Sequence, residues 1–302
     1  MNTVKLLNYM ENLRYDRKMT QELYLQDIIS QRQYYRYRNG ESEVPFDVII
    51  KFANKLQIPL LKLISSYQSS SEKEKKLVQE FLNLVINQRF DEAKQIKKKM
   101  KNLLLLDEDT HIFYYLSILL YDYCTKQISS NEMIVELKRN INFDSIMKKE
   151  ILHDSEIYIL GVIMEYSEND RLAIYKKIDN LWTHDKLLLG TNDSLYSQVF
   201  FWIIKNLGRL KRYSELIKMA DNAIEYAKIK RSYYSVEYFH YYKALAYLEL
   251  ENNAKFEEEL YETILILLYM DSYKRNHFFE MIKKDTNIEC KEFLIDRLKK
   301  EL

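Results

Sequence analysis

Apolar residues return every three to four positions along almost the whole chain, a spacing that predicts helices rather than strands. Val4, Leu6, Leu7, Met10 and Leu13 mark a first amphipathic helix over Val4–Tyr15. Thr20 is placed to cap a short helix over Gln21–Gln26, with Leu23 and Tyr24 turned inward. Ser30 is the next capping residue, and Gln31–Arg38 forms a third helix stopped by Asn39-Gly40. Pro45 opens a fourth helix that ends near Leu56, with Val48, Ile49, Phe52, Ala53 and Leu56 on one face. Pro59 begins a fifth, whose Leu60, Leu61 and Ile64 close a small core.

The polar run Ser65-Ser66-Tyr67-Gln68-Ser69-Ser70-Ser71 reads as a linker, with Ser71 and Glu74 as a capping box for the next helix. The expected division is therefore a domain over 1–68 and a larger one over 69–302. In the second, amphipathic helices are expected over Glu72–Asn87, Phe90–Leu104, Thr110–Lys126, Asn131–Arg139 and Ser155–Tyr166. They continue over Arg171–Trp182, Leu195–Leu207, Tyr213–Lys230, Tyr233–Leu250 and Phe256–Met270. Brief polar turns such as Asn87-Gln88-Arg89 and Glu251-Asn252-Asn253 separate them. Helix pairs repeated without one central core indicate a solenoid.

Composition narrows the fold class to all-α. The chain has 302 residues, beyond the usual reach of a single core, and its 47% hydrophobic content excludes disorder. Four glycines and two prolines cannot serve the turns of a strand-rich or doubly wound fold. Net charge is +1, but residues 1–70 hold ten Lys/Arg against seven Asp/Glu. Within them, residues 28–40 carry Arg32, Arg36 and Arg38 and no acid, which suits phosphate contact.

Two short helices joined by a tight turn and followed by two more is the order of a helix-turn-helix domain. Met19-Thr20-Gln21-Glu22-Leu23, the stretch Arg36–Pro45, and Phe52-Ala53-Asn54-Lys55-Leu56-Gln57-Ile58-Pro59 resemble the lambda-repressor-like (Xre-type) family over roughly residues 3–65. Two segments depart from it: Asp27 and Ile28 stand where a turn glycine is usual, and Arg38 replaces a common acid. Such a domain reads DNA from the exposed start of its third helix, which here offers Gln31, Arg32, Gln33 and Arg36. Thr20 and Gln21 are placed at a helix start to hold a phosphate, and Tyr34 and Arg38 to touch the DNA backbone. The bland alternative is a solvated helical face with Tyr35 in the core.

Further along, Asn87–Ala93, Lys211–Leu216 and Ala244-Leu245-Ala246-Tyr247-Leu248 resemble degenerate tetratricopeptide repeats, in which several small residues are replaced. Five or six helix pairs would fill the domain, as a right-handed helical solenoid. The combination resembles the peptide-sensing cytosolic regulators of Gram-positive bacteria, the Rgg, PlcR and PrgX group. That resemblance implies a homodimer that binds a palindromic or two-half-site operator in double-stranded DNA. It also implies a short signalling peptide, as in quorum sensing, bound in the concave groove, where it alters the paired DNA-binding domains. By analogy with inward positions on first helices, the expected peptide contacts are Gln198, Phe201, Lys205, Asn206, Tyr238, Tyr241 and Tyr242. Packing between helices is the alternative for each tyrosine among the 26.

Other chemistry is not expected. The glycines (Gly40, Gly161, Gly190, Gly208) are too scattered for a phosphate loop, and His111, His153, His184, His240 and His277 lack metal-ligand spacing. Glu257-Glu258-Glu259 and Asp107-Glu108-Asp109 read as solvated surface or caps, and Lys97-Lys98-Lys99 with Lys101 as a solvated face. Cys124 and Cys290 read as reduced, mostly buried thiols of a cytoplasmic protein. No nucleophile-base pair, cofactor site, signal peptide or membrane span is seen, so the expectation is not an enzyme. Two rivals stay open: a phage or mobile-element repressor whose helical array only dimerises or binds protein, and a scaffold with a vestigial docking module.

Overall fold

The computed structural model describes residues 3–183 and 193–301, so His184 and Gly190 lie outside the described residues. Among the described residues there are seventeen α-helices and no strand. They are α1 (Thr3–Asp16), α2 (Gln21–Leu25), α3 (Gln31–Arg38), α4 (Phe46–Lys55), α5 (Leu60–Ile86) and α6 (Phe90–Lys99). Next come α7 (Glu108–Cys124), α8 (Ser130–Ile141), α9 (Phe143–Lys148), α10 (Asp154–Tyr166), α11 (Arg171–Thr183) and α12 (Asp193–Arg209). The last are α13 (Tyr213–Lys230), α14 (Val236–Glu249), α15 (Asn253–Leu268), α16 (Ser272–Thr286) and α17 (Cys290–Glu301). Contacts divide the chain into two compact units, Met1–Phe143 and Asp144–Leu302.

In the first unit, α1 to α5 enclose one core. Tyr24 stacks on Phe52 at 4.5 Å between centroids, and Tyr34 meets Phe52 edge-on at 5.8 Å. Both expected caps form: Thr20 accepts from the Leu23 N–H and Ser30 from the Gln33 N–H. Asp27 takes a left-handed backbone, φ 64°, and so does the work of the glycine usual in that turn; Asp is among the few side chains that tolerate it. Helical phase corrects two core assignments. Leu23 is exposed while Tyr24 and Leu25 are buried, and Leu61 is 82% exposed while Leu63 closes the core.

The serine run is not a linker. α5 passes through it unbroken because Leu63, Tyr67, Glu74, Val78, Phe81 and Val85 form one buried stripe at helical spacing. Serine is a mediocre helix former, but no glycine or proline interrupts the stretch. Most of the serines lie on the other sides, where Ser66 and Ser70 bond the Tyr9 hydroxyl. Glu74 does not cap a helix either. Buried, it accepts the backbone N–H groups of Leu104 at 2.7 Å and Leu106 at 3.0 Å, while the Tyr67 hydroxyl donates to the Leu106 carbonyl.

The helices after α4 form pairs: α5/α6 and α7/α8 in the first unit, α10/α11, α12/α13, α14/α15 and α16/α17 in the second. First helices pack on one another, α5 on α7, α10 on α12, and α12 on α14. One turn recurs at helix ends. Gln88, Lys126, Lys211 and Glu251 each adopt φ between 56° and 60°. In each, the next residue's N–H returns to the carbonyl five positions back, as from Arg89 to Leu84 and from Arg212 to Leu207. The turns Asn87-Gln88-Arg89 and Glu251-Asn252-Asn253 thus fall where expected, but α14 starts three residues later than expected, after Ser235 at φ 65°. Periodicity does not announce the short α9 or the final pair.

Several surface assignments also change. Asp107 caps α7, accepting from Asp109 and Thr110, but Glu259 is buried, bonded by His240 at 2.7 Å and Lys243 at 2.5 Å. Lys97 is tied down by Asp122 at 2.7 Å and lies over the Tyr121 ring. Cys290 is buried, whereas Cys124 is exposed.

One carboxylate fixes the phase of α3. Glu11 on α1 accepts from Arg14 at 2.8 Å and from the Tyr34 hydroxyl at 2.5 Å, with Arg38 at 3.7 Å. Burial pushes its carboxyl upward, but the bonds from Arg14 and Tyr34 prevail and hold it below the ordinary 4.5. The unfolded chain restores that value, so the stabilisation is present above about pH 4.5 and disappears as pH falls through the folded pKa. Glu11→Gln should therefore flatten the acid limb of stability between about pH 5 and pH 3, followed by circular dichroism of urea unfolding at graded pH. Glu74→Ala should lower stability by about 2 kcal/mol, since one buried N–H loses its acceptor and a second loses a charged one. Urea denaturation checks it, and Glu74→Gln should cost clearly less.

Candidate functional site

The face of α3 opposite the core is the first candidate. Tyr34 and Tyr37 are buried, one helical turn apart, and turn this short helix so that Gln31, Arg32, Tyr35 and Arg36 are exposed. Gln31 and Tyr35 both reach Gln21 on α2, their side chains donating to Gln21 Oε1 at 3.4 and 3.3 Å. Thr20 is exposed beside Gln21, though its hydroxyl oxygen already caps α2. The result is one polar face with two guanidinium groups, Arg32 and Arg36, on adjacent turns.

Three expected residues are placed differently. Tyr34 is in the core, bonded to Glu11, so it cannot touch a DNA backbone; Tyr35, expected inside under the bland alternative, is outside. The cause is the 100° step between successive helical residues, which puts 34 and 37 together and 35 away from them. Arg38 turns back to α1, where its Nε donates to Asn8 Oδ1 at 2.9 Å. Gln33 is half-buried and donates to Ser42 Oγ at 3.2 Å.

The second candidate lies in the unit 144–302. Phe201 on α12 and Tyr238 and Tyr242 on α14 meet one another, with centroids 4.9 Å (Phe201–Tyr238) and 6.0 Å (Phe201–Tyr242) apart. Phe278 on α16 extends this wall, 4.8 Å from Tyr238. Gln198, Phe201 and Tyr238 line a cavity of about 530 Å³, a volume in the range of small-ligand sites. Tyr241 does not join them. It is 1% exposed and donates its hydroxyl to Asp285 at 2.7 Å, because its phase on α14 points toward α15 and α16.

Lys205 and Asn206 are already engaged. Glu165 on α10 accepts from Lys205 Nζ at 2.9 Å, Asn206 Nδ2 at 3.0 Å and Arg209 at 3.1 Å. Burial pushes the Glu165 carboxyl up, but the bond and charge of Lys205 dominate and keep it below the usual range. Asn206 is 1% exposed and holds α12 to α10 rather than facing a ligand. Nearby, α12 approaches α10 so closely that a Cβ on Gly161 would stand 2.5 Å from the Trp202 ring. Periodicity missed Glu165, Glu237 and Tyr234. A lone acid at the end of the apolar stretch Ile157–Met164 was the available signal for the first.

Among the described residues no group of three or more His, Cys, Asp or Glu is arranged to hold a metal, and no helix is long and apolar enough to cross a membrane.

No family model matches the chain, and no curated protein does. Solved structures match over nearly its whole length. Apo PlcR of Bacillus thuringiensis is 16% identical with a TM-score of 0.58, covering 91% of this chain and 99% of that one. Apo ComR of Streptococcus vestibularis, a competence regulator, is 13% identical with a TM-score of 0.56, covering 94% and 98%. ComR of S. thermophilus, solved with DNA and its signalling peptide ComS, is 16% identical with a TM-score of 0.53, covering 94% and 100%. At such identities the likeness is one of architecture: this chain shares with PlcR, ComR and Rgg an all-helical fold, a helix-turn-helix followed by tetratricopeptide-like helix pairs.

Proposed function

We propose that the chain is a DNA-binding transcription regulator whose activity is controlled by a short peptide held on the first helices of its repeats. Residues 1–68 serve as the DNA-reading part, and 69–302 as the peptide-binding and dimerising part. The observation that carries this reading is the face of α3: Gln31, Arg32 and Arg36 are exposed while Tyr34 and Tyr37 anchor the opposite side. Glutamine and arginine on an outward helix match the major-groove edges of adenine and guanine. Thr20 and Gln21 stand beside that face at the start of α2, where backbone N–H groups suit a phosphate.

The peptide half of the proposal draws on the cavity at Gln198, Phe201 and Tyr238, which combines ring surface with an amide. Such a lining suits an extended peptide, whose backbone needs both apolar cover and hydrogen bonds. The neighbours support it: one was solved with DNA and a signalling peptide, and another, from Streptococcus dysgalactiae, is a pheromone receptor. A homodimer on a two-half-site operator accords with the helix-turn-helix reading. Exposed Ile295 and Leu298 on α17 offer apolar surface for pairing.

Two experiments test these halves separately. Fluorescence anisotropy with the DNA upstream of the gene should show specific binding. Arg32→Ala and Arg36→Ala should each weaken it by about 1–3 kcal/mol without shifting the unfolding midpoint. Undiminished affinity in the double variant would refute DNA reading by α3. Short apolar peptides encoded beside the gene should change that DNA affinity, and Phe201→Ala with Tyr238→Ala should abolish the change while DNA binding persists. If no peptide acts, the repeats serve only dimerisation or protein binding.

A further inference from the structure

The cavity beside α12, α14 and α16 contains a group with no role so far. Glu237, in the first turn of α14, lines it; the residue is 8% exposed, and its Oε2 has no hydrogen-bond partner. A buried carboxylate oxygen without a donor is costly, so it either stays protonated or waits for a positive partner. Burial pushes the Glu237 carboxyl above its usual range, and a hydrogen bond from its own backbone N–H and then the charge of Lys274 on α16 oppose this only in part. Lys274 and His277 stand on the α16 side of the same cavity. The Lys274 ammonium influences Glu237 from a distance and forms no ion pair with it.

The rest of the lining suits a cation too. Phe201, Tyr238 and Phe278 form a continuous aromatic wall with centroids 4.9 and 4.8 Å apart. Ring faces carry partial negative charge and attract ammonium groups. Gln198, bonded by the Tyr234 hydroxyl at 3.3 Å, adds an amide at the edge. A carboxylate beside aromatic faces is the usual chemistry of an ammonium site, and apolar ligands alone would leave Glu237 unmatched.

We propose that this cavity receives the ammonium group of a ligand, held between the Glu237 carboxylate and the aromatic side chains of Phe201 and Tyr238. The proposal deepens the peptide reading and rests on it, since a peptide carries such a group at its N-terminus or on a lysine. An ammonium entering the cavity competes with Lys274 for the carboxylate.

Isothermal titration of the full-length protein with phenethylammonium, and with neutral 2-phenylethanol of the same shape, isolates the charge. The ammonium should bind at least about tenfold more tightly, the scale of one charge-assisted hydrogen bond. Glu237→Gln, nearly isosteric, should erase that preference. Lys274→Ala changes an exposed side chain and should strengthen ammonium binding, which keeps a test available if the first variant fails to fold. Equal binding of the two probes, no binding of either, or weaker ammonium binding in Lys274→Ala overturns the proposal. A leucine-phenylalanine heptapeptide with a free or acetylated N-terminus, and an acetylated one carrying a single lysine, then tells which source supplies the charge. Peptide binding without any ammonium preference sinks this inference alone. Glu237-dependent ammonium binding with no peptide binding sinks the peptide reading instead.

Discussion

An α-helix satisfies its own backbone hydrogen bonds, so in a chain of helices the register between neighbours rests on side chains. Apolar stripes bring the helices together, but they are tolerant of sliding and rotation. Buried and half-buried acids remove that freedom here. Glu11 ties α1 to α3, Glu74 ties α5 to the segment before α7, Glu165 ties α10 to α12, and Glu259 ties α15 to α14. Each accepts from two or more donors, which is what makes burial of a charge tolerable. Each also fixes one rotation about a helix axis, and the candidate faces depend on those rotations.

The consequence is clearest at α3. Eight residues are too few for a stable isolated helix. Its shape is lent by two caps, two buried tyrosines and the bond from Tyr34 to Glu11. With that side locked, the opposite one holds Gln31, Arg32, Tyr35 and Arg36 in a defined array, braced by Gln21 from α2. Side chains held by a rigid scaffold lose less entropy on meeting a partner, which favours specificity. In the repeats the same logic runs the other way. Lys205 and Asn206 are locked onto Glu165, whereas Phe201, Gln198 and Tyr238 border open space, with the largely buried Glu237 on the same lining.

Much of the fold was legible because it depends on local rules. Capping by Thr20 and Ser30, the stop at Asn39-Gly40, and the turns at Gln88 and Glu251 are all encoded within a few residues. The serine run misleads because its composition signals a linker, while the wider-spaced stripe Leu63, Tyr67, Glu74, Val78 carries the helix through. The residues facing the candidate surfaces were harder. Tyr34, Tyr241 and Asn206 have the chemistry of contact residues and the positions of core residues. Phase decides between these, and one position of error turns a side chain by 100°.

Sequence alone thus determined the class and order of the elements: all helices, two short ones early for a helix-turn-helix, then helix pairs joined by brief turns. It could do so because helix formation, capping and turning are governed by neighbours along the chain. Tertiary structure alone decided which polar side chains are consumed internally and which remain outward. A carboxylate such as Glu11, Glu165 or Glu237 has the same appearance in a sequence whether three donors meet it or none does. Only distant segments, brought together by folding, supply those donors or withhold them.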